Sequence, residues 1–256
     1  MDLKLNGKKA LVLGGTRGIG RAIVENLISE GVEVALCARN DDQVQLVVSE
    51  LLAKGAKVSG AAVDIADAAA LRQWVAEAAA QLGGIDILVS NASAMATGNS
   101  AEEWQASLSI DILGLVNASE VAMPFLEQAA ARNGDAAIIS IGSIMSNIAA
   151  EPSAYGAIKG ALVHCVKGLA KAQAHKHIRA NIVSPGTVYF KGGAWDMIEQ
   201  NMPDFFHSMM AKNPMGRMAT AQEIANAAVF LASPLSGFTT GTNMVVDGAF
   251  TESPNY

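Results

Sequence analysis

Seven short apolar runs recur along the chain, each followed by a longer stretch, helical in spacing wherever a further run is to come, save after the sixth. This alternation restricts the fold more than any other feature of the sequence. The runs are KALVLG (9–14), EVALCA (33–38), KVSGAAV (57–63), DILVS (86–90), AAIISIG (136–142), IRANIVS (178–184) and NMVVDG (243–248). Helical spacing occupies 18–30, 41–54, 67–82, 101–131, 153–176 and 221–232. Runs that are apolar throughout belong to strands covered on both faces. Strand and helix in alternation build right-handed βαβ units. The expected fold is therefore α/β: a doubly wound, Rossmann-type, mainly parallel sheet of about seven strands with helices on both faces.

The chain of 256 residues shows no fixed-period repeat, low-complexity tract or Pro/Ser-rich linker, so a single domain over 1–256 is expected. One interval breaks the rhythm. After the sixth run, residues 187–220 are crowded with Met, Phe and Trp and lack a clean period apart from a short helix around 195–211. An insertion at the C-terminal edge of an open α/β sheet lies where such sheets keep their ligands. We read 187–220 as a substrate lid, with Phe190 and Trp195 as substrate contacts.

A formal net charge of −6 leaves no basic stripe for a phosphate backbone, so no nucleic-acid partner is expected. The N-terminal apolar run is too short for a secretory signal, and no stretch approaches the ~20 apolar residues of a membrane span. A cytoplasmic protein with no membrane partner is expected. Cys37 and Cys165 lie far apart in the chain and read as reduced, buried thiols. His164, His175 and His177 lack acids at ligand spacing, so no metal is expected.

The first run leads directly into GGTRGIG, where Gly14, Gly18 and Gly20 follow G-x-x-x-G-x-G spacing around Thr16, Arg17 and Ile19. A turn without Cβ atoms lets the backbone approach a diphosphate, and the amides and dipole of the next helix then face its charge. This placement between strand and helix points to a dinucleotide. Where NAD is preferred, an acid at the tip of the second strand holds the ribose 2′-hydroxyl. Here that tip is Ala38, followed by Arg39, while Arg17 sits in the glycine loop. Two guanidinium groups suit a 2′-phosphate. NADP(H) is therefore expected; Asp41 and Asp42 close by leave NAD(H) open.

Tyr155 and Lys159 stand one helical turn apart in YGAIK, inside an otherwise small and apolar segment. Together with GGTRGIG, VDI (63–65), LVSNAS (88–93), ISIGS (139–143), SPG (184–186) and TGTNMVVDG near the end, they make the whole chain resemble the single-domain short-chain dehydrogenases/reductases. That resemblance implies an oxidoreductase acting on a small carbonyl or alcohol, with Tyr155 as the acid/base while hydride moves to or from nicotinamide. A free phenol titrates near 10, too high for a base at neutrality. A cation about 4 Å away supplies on the order of 4 kcal/mol at an effective dielectric of 20, and Lys159 is placed to be that cation. Ser143 would donate to the substrate oxygen where charge develops. The resemblance further assigns Asp64 and Ile65 to the adenine, Asn91 and Ala92 to the cofactor side of the sheet, and Pro185, Gly186, Thr187 and Val188 to the carboxamide turn.

The chain departs from the family pattern at three places. SNAS replaces N-N-A-G, so Ser93 brings a Cβ and a hydroxyl to the pocket. The interval from Ser143 to Tyr155 is one residue shorter than usual. Asp111 stands where an asparagine commonly begins N-x-x-G, with Gly114 three residues on. An ionised Asp111 would offset the lysine's field on the phenol and raise the pH optimum relative to an asparagine version. A 3-oxoacyl thioester reductase acting on an acyl carrier protein is the nearest rival activity, and a non-catalytic NADPH-binding sensor the rival outside catalysis. Helical stretches 101–131 and 153–176 are apolar on more than one face, and such helices commonly pair in this family, so a D2 homotetramer is expected.

Overall fold

The computed structural model describes residues 2–149 and 151–253. Its main sheet has seven strands: β1 (Lys9–Leu13), β2 (Glu33–Ala38), β3 (Val58–Ala62), β4 (Ile87–Ser90), β5 (Ala136–Ile141), β6 (Ile178–Pro185) and, after the lid, β9 (Asn243–Val246). The order is β3-β2-β1-β4-β5-β6-β9, and every pairing is parallel. All seven apolar runs became these strands.

Successive residues of each strand face opposite layers, which is why the runs are apolar throughout. Leu11, Leu13 and Leu88 pack into a cluster with Leu71, Val75, Leu126, Ile158 and Leu162. These come from α3 (Ala68–Leu82), α5 (Leu113–Asn133) and α6 (Ala154–Gln173). Ala10, Val12, Ile87 and Val89 pack on the other face with Ile23, Leu27, Val47 and Ile224. Those come from α1 (Gly18–Ser29), α2 (Asp41–Ala53) and α9 (Ala221–Ala232). The chain leaves β1 toward β2 on one side and returns to β4 on the other, so the strand order reverses between β1 and β4. A crevice opens there at the strands' C-terminal ends.

The helical stretch at 101–131 is not uniform. It starts as α4 (Ala101–Ser107), widens into a π-helical turn at Leu108–Ile112, and resumes as α5. Proportions of apolar and polar residues do not reveal such a widening, because one extra residue per turn leaves composition unchanged. The membrane expectation also needs correction here. By length and composition Ala101–Asn133 is long and apolar enough to cross a bilayer, with 39% of its most apolar window buried. Arg72 and Lys176 form ion pairs with its Glu120 and Glu127, tying it to the rest of the domain.

The lid resolves into β7 (Val188–Tyr189), α7 (Ala194–Asn201), α8 (Pro203–Ala211) and β8 (Ala219–Thr220). One helix was expected at 195–211; two form, because Pro203 starts a new helix at its first position. β7 and β8 pair in parallel, Val188 with Ala219 and Tyr189 with Thr220, and close the insertion at its base.

Arg179 of β6 locks the sheet to the end of α9. Its guanidinium, 4% exposed, reaches Asp135 at 2.6 Å and donates to the carbonyls of Leu231 and Ser233 and to Ser236. A cation at the last carbonyls of a helix also opposes its dipole. Asp135→Ala leaves this buried charge without its counterion and is expected to cost about 3–5 kcal/mol in chemical denaturation. A loss below about 1 kcal/mol would mean that the helix carbonyls alone satisfy the guanidinium.

Candidate active site

The crevice is built first by the glycine loop. Gly14 and Gly15 both donate to the Cys37 carbonyl, at 2.8 and 3.2 Å, which turns the chain away from β1. Asn91, just past β4, donates its side-chain amide to the Gly14 carbonyl at 2.8 Å. Gly20 lies over that same carbonyl: a Cβ there would stand 1.9 Å from Gly14 O and 2.4 Å from Asn91 Nδ2. Only glycine permits α1 to start this close to the strand. Burial pushes the Cys37 thiol up to about 12, in keeping with a structural thiol.

The start of α1 is open. Its N-cap, Arg17, offers no side-chain cap, and its first turn holds no acid. By contrast α2, α3, α4, α6 and α9 are capped by Asn40, Asp67, Ser100, Ser153 and Thr220. Of the others, α7 and α8 also lack side-chain caps but carry Asp196 and Asp204 in their first turns, and α5 continues directly from the π-helical turn. Uncapped amides at Gly18, Ile19 and Gly20 beside Thr16 form a cradle suited to a diphosphate.

At the β2 tip, Arg39 and Asp64 line a cavity of about 590 Å³ with Ala66, Glu102, Gln105 and Ile110. Arg17 and Arg39 are both exposed, and neither guanidinium has a hydrogen bond or ion pair among the described residues. Asp64 accepts from the Ala66 amide at 3.0 Å, while Ile65 is buried behind it. Gly114 of α5 lies against Ile65, with a Cβ position 2.6 Å from Ile65 Cγ2, so that glycine serves close packing behind this cavity. Glu102 was missed by sequence reasoning. It arrives from α4, and nothing in AEEWQAS marks one glutamate as facing the β2 tip.

The Tyr–Lys pair rides on α6, whose first turn is tied to the loop after β4. Ala154 donates to Gly98 O and the Ser153 hydroxyl to Thr97 O, both at 2.9 Å. Tyr155 is half-buried, and Lys159 is 3% exposed. The ammonium lies 5.6 Å from the centroid of the Tyr155 ring and donates to Ile141 O at 2.8 Å. It also lies 3.0 Å from Asp111 Oδ1, inside the π-helical turn. That oxygen has no aligned hydrogen-bond donor, so the contact is Coulombic. The other oxygen, Asp111 Oδ2, accepts from the Ala94 amide at 3.0 Å. The structure thus brings Tyr155, Lys159 and Asp111 together.

Ser143 lies buried two residues past β5, and its Oγ accepts from the Met145 amide at 3.1 Å, which leaves the hydroxyl proton to donate. The turn it caps abuts α6 beside Tyr155: a Cβ on Gly156 would lie 3.1 Å from Met145 O. Ser146, the neighbouring alternative, donates to Ser143 O. Ser93 accepts from the Met95 amide at 3.2 Å, so its hydroxyl shapes the turn at this rim.

The lid side is held by several contacts. Thr187 donates its hydroxyl to Asn213 at 3.0 Å, Val188 is buried, and Gly186 N donates to Val246 O, so the 185–188 turn has only backbone left to offer a ligand. Trp195 stacks on Phe205 at 6.1 Å, and Tyr189 meets Phe206 edge-on at 6.1 Å. The Tyr189 hydroxyl lies 2.6 Å from Glu199 and 3.1 Å from Asp196. Glu199 foremost, then burial and Asp196, hold that phenol far above its ordinary range, so Tyr189 stays a donor. At the other end Arg217, followed by the Thr220 amide, pulls the Glu223 carboxyl down to about 2. Among the described residues no group of three or more His, Cys, Asp or Glu is arranged to hold a metal.

Comparison with known proteins gives a consistent family. Residues 14–251 match the family model described as enoyl-(acyl carrier protein) reductase. Isoepoxydon dehydrogenase of Penicillium expansum is 38% identical over 249 residues, 95% of each chain. A 3-oxoacyl-[acyl-carrier-protein] reductase of Chlamydia pneumoniae is 33% identical over 98% of this chain and 100% of its own. The L-sorbose reductase of Gluconobacter frateurii, solved with NADPH and L-sorbose, superposes with a TM-score of 0.88 at 29% identity, covering 99% of this chain and 100% of that one.

Proposed function

From its place in the short-chain dehydrogenase/reductase family of oxidoreductases, to which this chain belongs, we propose that it interconverts a ring- or sugar-sized ketone and its alcohol with NADP(H). The observation that carries this reading is the grouping of Tyr155, Lys159 and Asp111, with the turn capped by Ser143 packed against α6, together with the uncapped helix start after the glycine loop. When bound, the nicotinamide supplies or accepts the hydride.

The residues divide the remaining work. The α1 amides and the glycine loop hold the diphosphate. Arg17 and Arg39, their guanidinium groups free of other partners, grip the 2′-phosphate, with Asp64 and Ile65 toward the adenine. Asn91 and Ala92 fix the loop height, and the Pro185–Val188 backbone receives the carboxamide. Ser143 orients the substrate oxygen, and Tyr155 gives it a proton in reduction or takes one in oxidation. Lys159 lends the phenol a positive field and is itself held by Ile141 O and Asp111. Ser93, Trp195 and the lid exclude water and shape the substrate side.

The acyl-carrier reading gains from the Chlamydia relative and the family description. It loses on charge, because Arg217 is already paired with Glu223 and the other exposed basic side chains of the lid, Lys191 and Lys212, share it with Asp196, Glu199 and Asp204. Support for the ketone reading comes from the sorbose reductase and isoepoxydon dehydrogenase likenesses and from the aromatic lid. We place the protein in the cytoplasm as a homotetramer. Trp104, Leu108, Leu113 and Val116 leave an apolar strip along α4 and α5 exposed in the single chain, and light scattering that gives a monomer would overturn this assembly.

Oxidation of NADPH against a panel of cyclic ketones and ketoses tests the activity. Tyr155→Phe should lower the rate by roughly 10²–10⁴-fold with NADPH affinity preserved; parent-level turnover would remove Tyr155 from the acid/base role, and a parent protein that binds NADPH but reduces none of the panel would favour a sensor. Arg17→Ala with Arg39→Ala should raise the KM for NADPH at least about tenfold while leaving that for NADH within about twofold, and equal losses for both cofactors would sink the 2′-phosphate assignment. Asp111→Asn removes a negative charge 3.0 Å from the ammonium, so the basic limb of the pH–rate profile should move to lower pH. An unmoved limb would leave Asp111 as a purely structural partner of Lys159.

A further inference from the structure

One side chain joins the lid to the dinucleotide cradle. Phe190 follows β7, and the tip of its ring lies over Gly18, the first residue of α1. A Cβ on Gly18 would stand 2.5 Å from Phe190 Cζ and 2.8 Å from both Cε1 and Cε2. The same ring tip meets Gly193, whose Cβ position is 2.8 Å from Cζ and 2.9 Å from Cε2. Two glycines from distant segments thus leave a slot, and a phenyl ring fills it.

The ring's position is fastened from the lid side. Gly193 N donates to Phe190 O at 3.0 Å, closing a tight turn that Gly192 completes with φ of 77°. Gly192 N then donates to Asp196 Oδ2 at 2.8 Å, at the start of α7. Tyr189 next door is held by Glu199 and Asp196. Moving the ring off Gly18 therefore requires moving the front of the lid. At the other end of the contact, Gly18 carries one of the uncapped amides that face the diphosphate.

We propose that Phe190 is a positioning residue that retains the dinucleotide: it roofs the start of α1 and couples cofactor entry and release to movement of the lid. This rests on the NADP(H) reading above. It also replaces the role expected from sequence, in which Phe190 contacts substrate. An apolar roof over a charged diphosphate excludes water from the α1 amides, which strengthens their hold. Phe190 makes no hydrogen bond through its side chain, so its contribution is steric and shows in release more than in recognition.

Stopped-flow fluorescence of the NADPH complex, mixed with excess NADP⁺, reads the release rate. Phe190→Ala should raise that rate by about tenfold or more, the factor expected for losing a partly buried aromatic contact, and Phe190→Leu should restore most of it. Gly193→Ala keeps the phenyl ring but pushes it from its slot, and should speed release in the same direction. In the cofactor-free protein, Phe190→Ala should also accelerate amide hydrogen exchange across 194–211. Release and exchange at parent values, with only the KM for ketone raised, would overturn the proposal and return Phe190 to the substrate side. If the parent protein fails to bind NADPH, the activity proposed above falls, while the exchange measurement still decides whether Phe190 docks the lid.

Discussion

The Gly14 carbonyl oxygen sets the height of the whole crevice. It accepts Asn91 Nδ2 at 2.8 Å and lies directly below Gly20, so β1, β4 and the start of α1 meet at one atom. Everything on the cofactor side follows from that closeness. α1 can point its free amides into the crevice only because no side chain separates Gly20 from the loop. The loop in turn keeps its shape because the Gly14 and Gly15 amides are tied to β2 through Cys37. A parallel sheet whose strand order reverses supplies the gap, and this one contact decides how deep the gap is.

On the opposite wall, the dominant constraint is charge. Lys159 and Asp111 are both almost fully buried, and neither would be tolerated alone in a site this dry. The pair is not a symmetric, well-aligned salt bridge: Oδ2 is satisfied by Ala94, whereas Oδ1 faces the ammonium without an aligned donor. The π-helical turn makes this arrangement possible. By widening the helix at Leu108–Ile112, it carries the Asp111 side chain to the lysine and to the loop after β4 at once. The same carboxylate that makes the buried lysine affordable also competes with the phenol for its field.

Much of this was legible in the primary structure. The strands declared themselves because a strand buried on both faces needs unbroken apolarity, and the glycine loop because close backbone approach admits no substitute at Gly20. Tyr155 and Lys159 share a face through helical spacing alone, and their meeting with Asp111 followed from the family resemblance. Other features depended on contacts between distant segments and left no local mark. Glu102 reaches the Arg39 cavity only through the packing of α4, and the π-helical turn differs from its neighbours by hydrogen-bond register, not by residue type. Phe190 read as one more aromatic in a lid; its seat on Gly18 is visible only once β7 is placed beside α1.

The short parallel pairing of Val188 with Ala219 and Tyr189 with Thr220 has a further consequence. It brings the two ends of the insertion together, so the entropy of closing that segment is spent at its base and depends only weakly on how much chain lies between. Length and sequence inside the loop are then nearly independent of the stability of the sheet. The interior of the insertion becomes an exchangeable module: residues 201–212 could be recast while the Gly192–Asp196 turn under Phe190, Glu199 on Tyr189 and Asn213 on Thr187 keep their contacts with the rest of the domain.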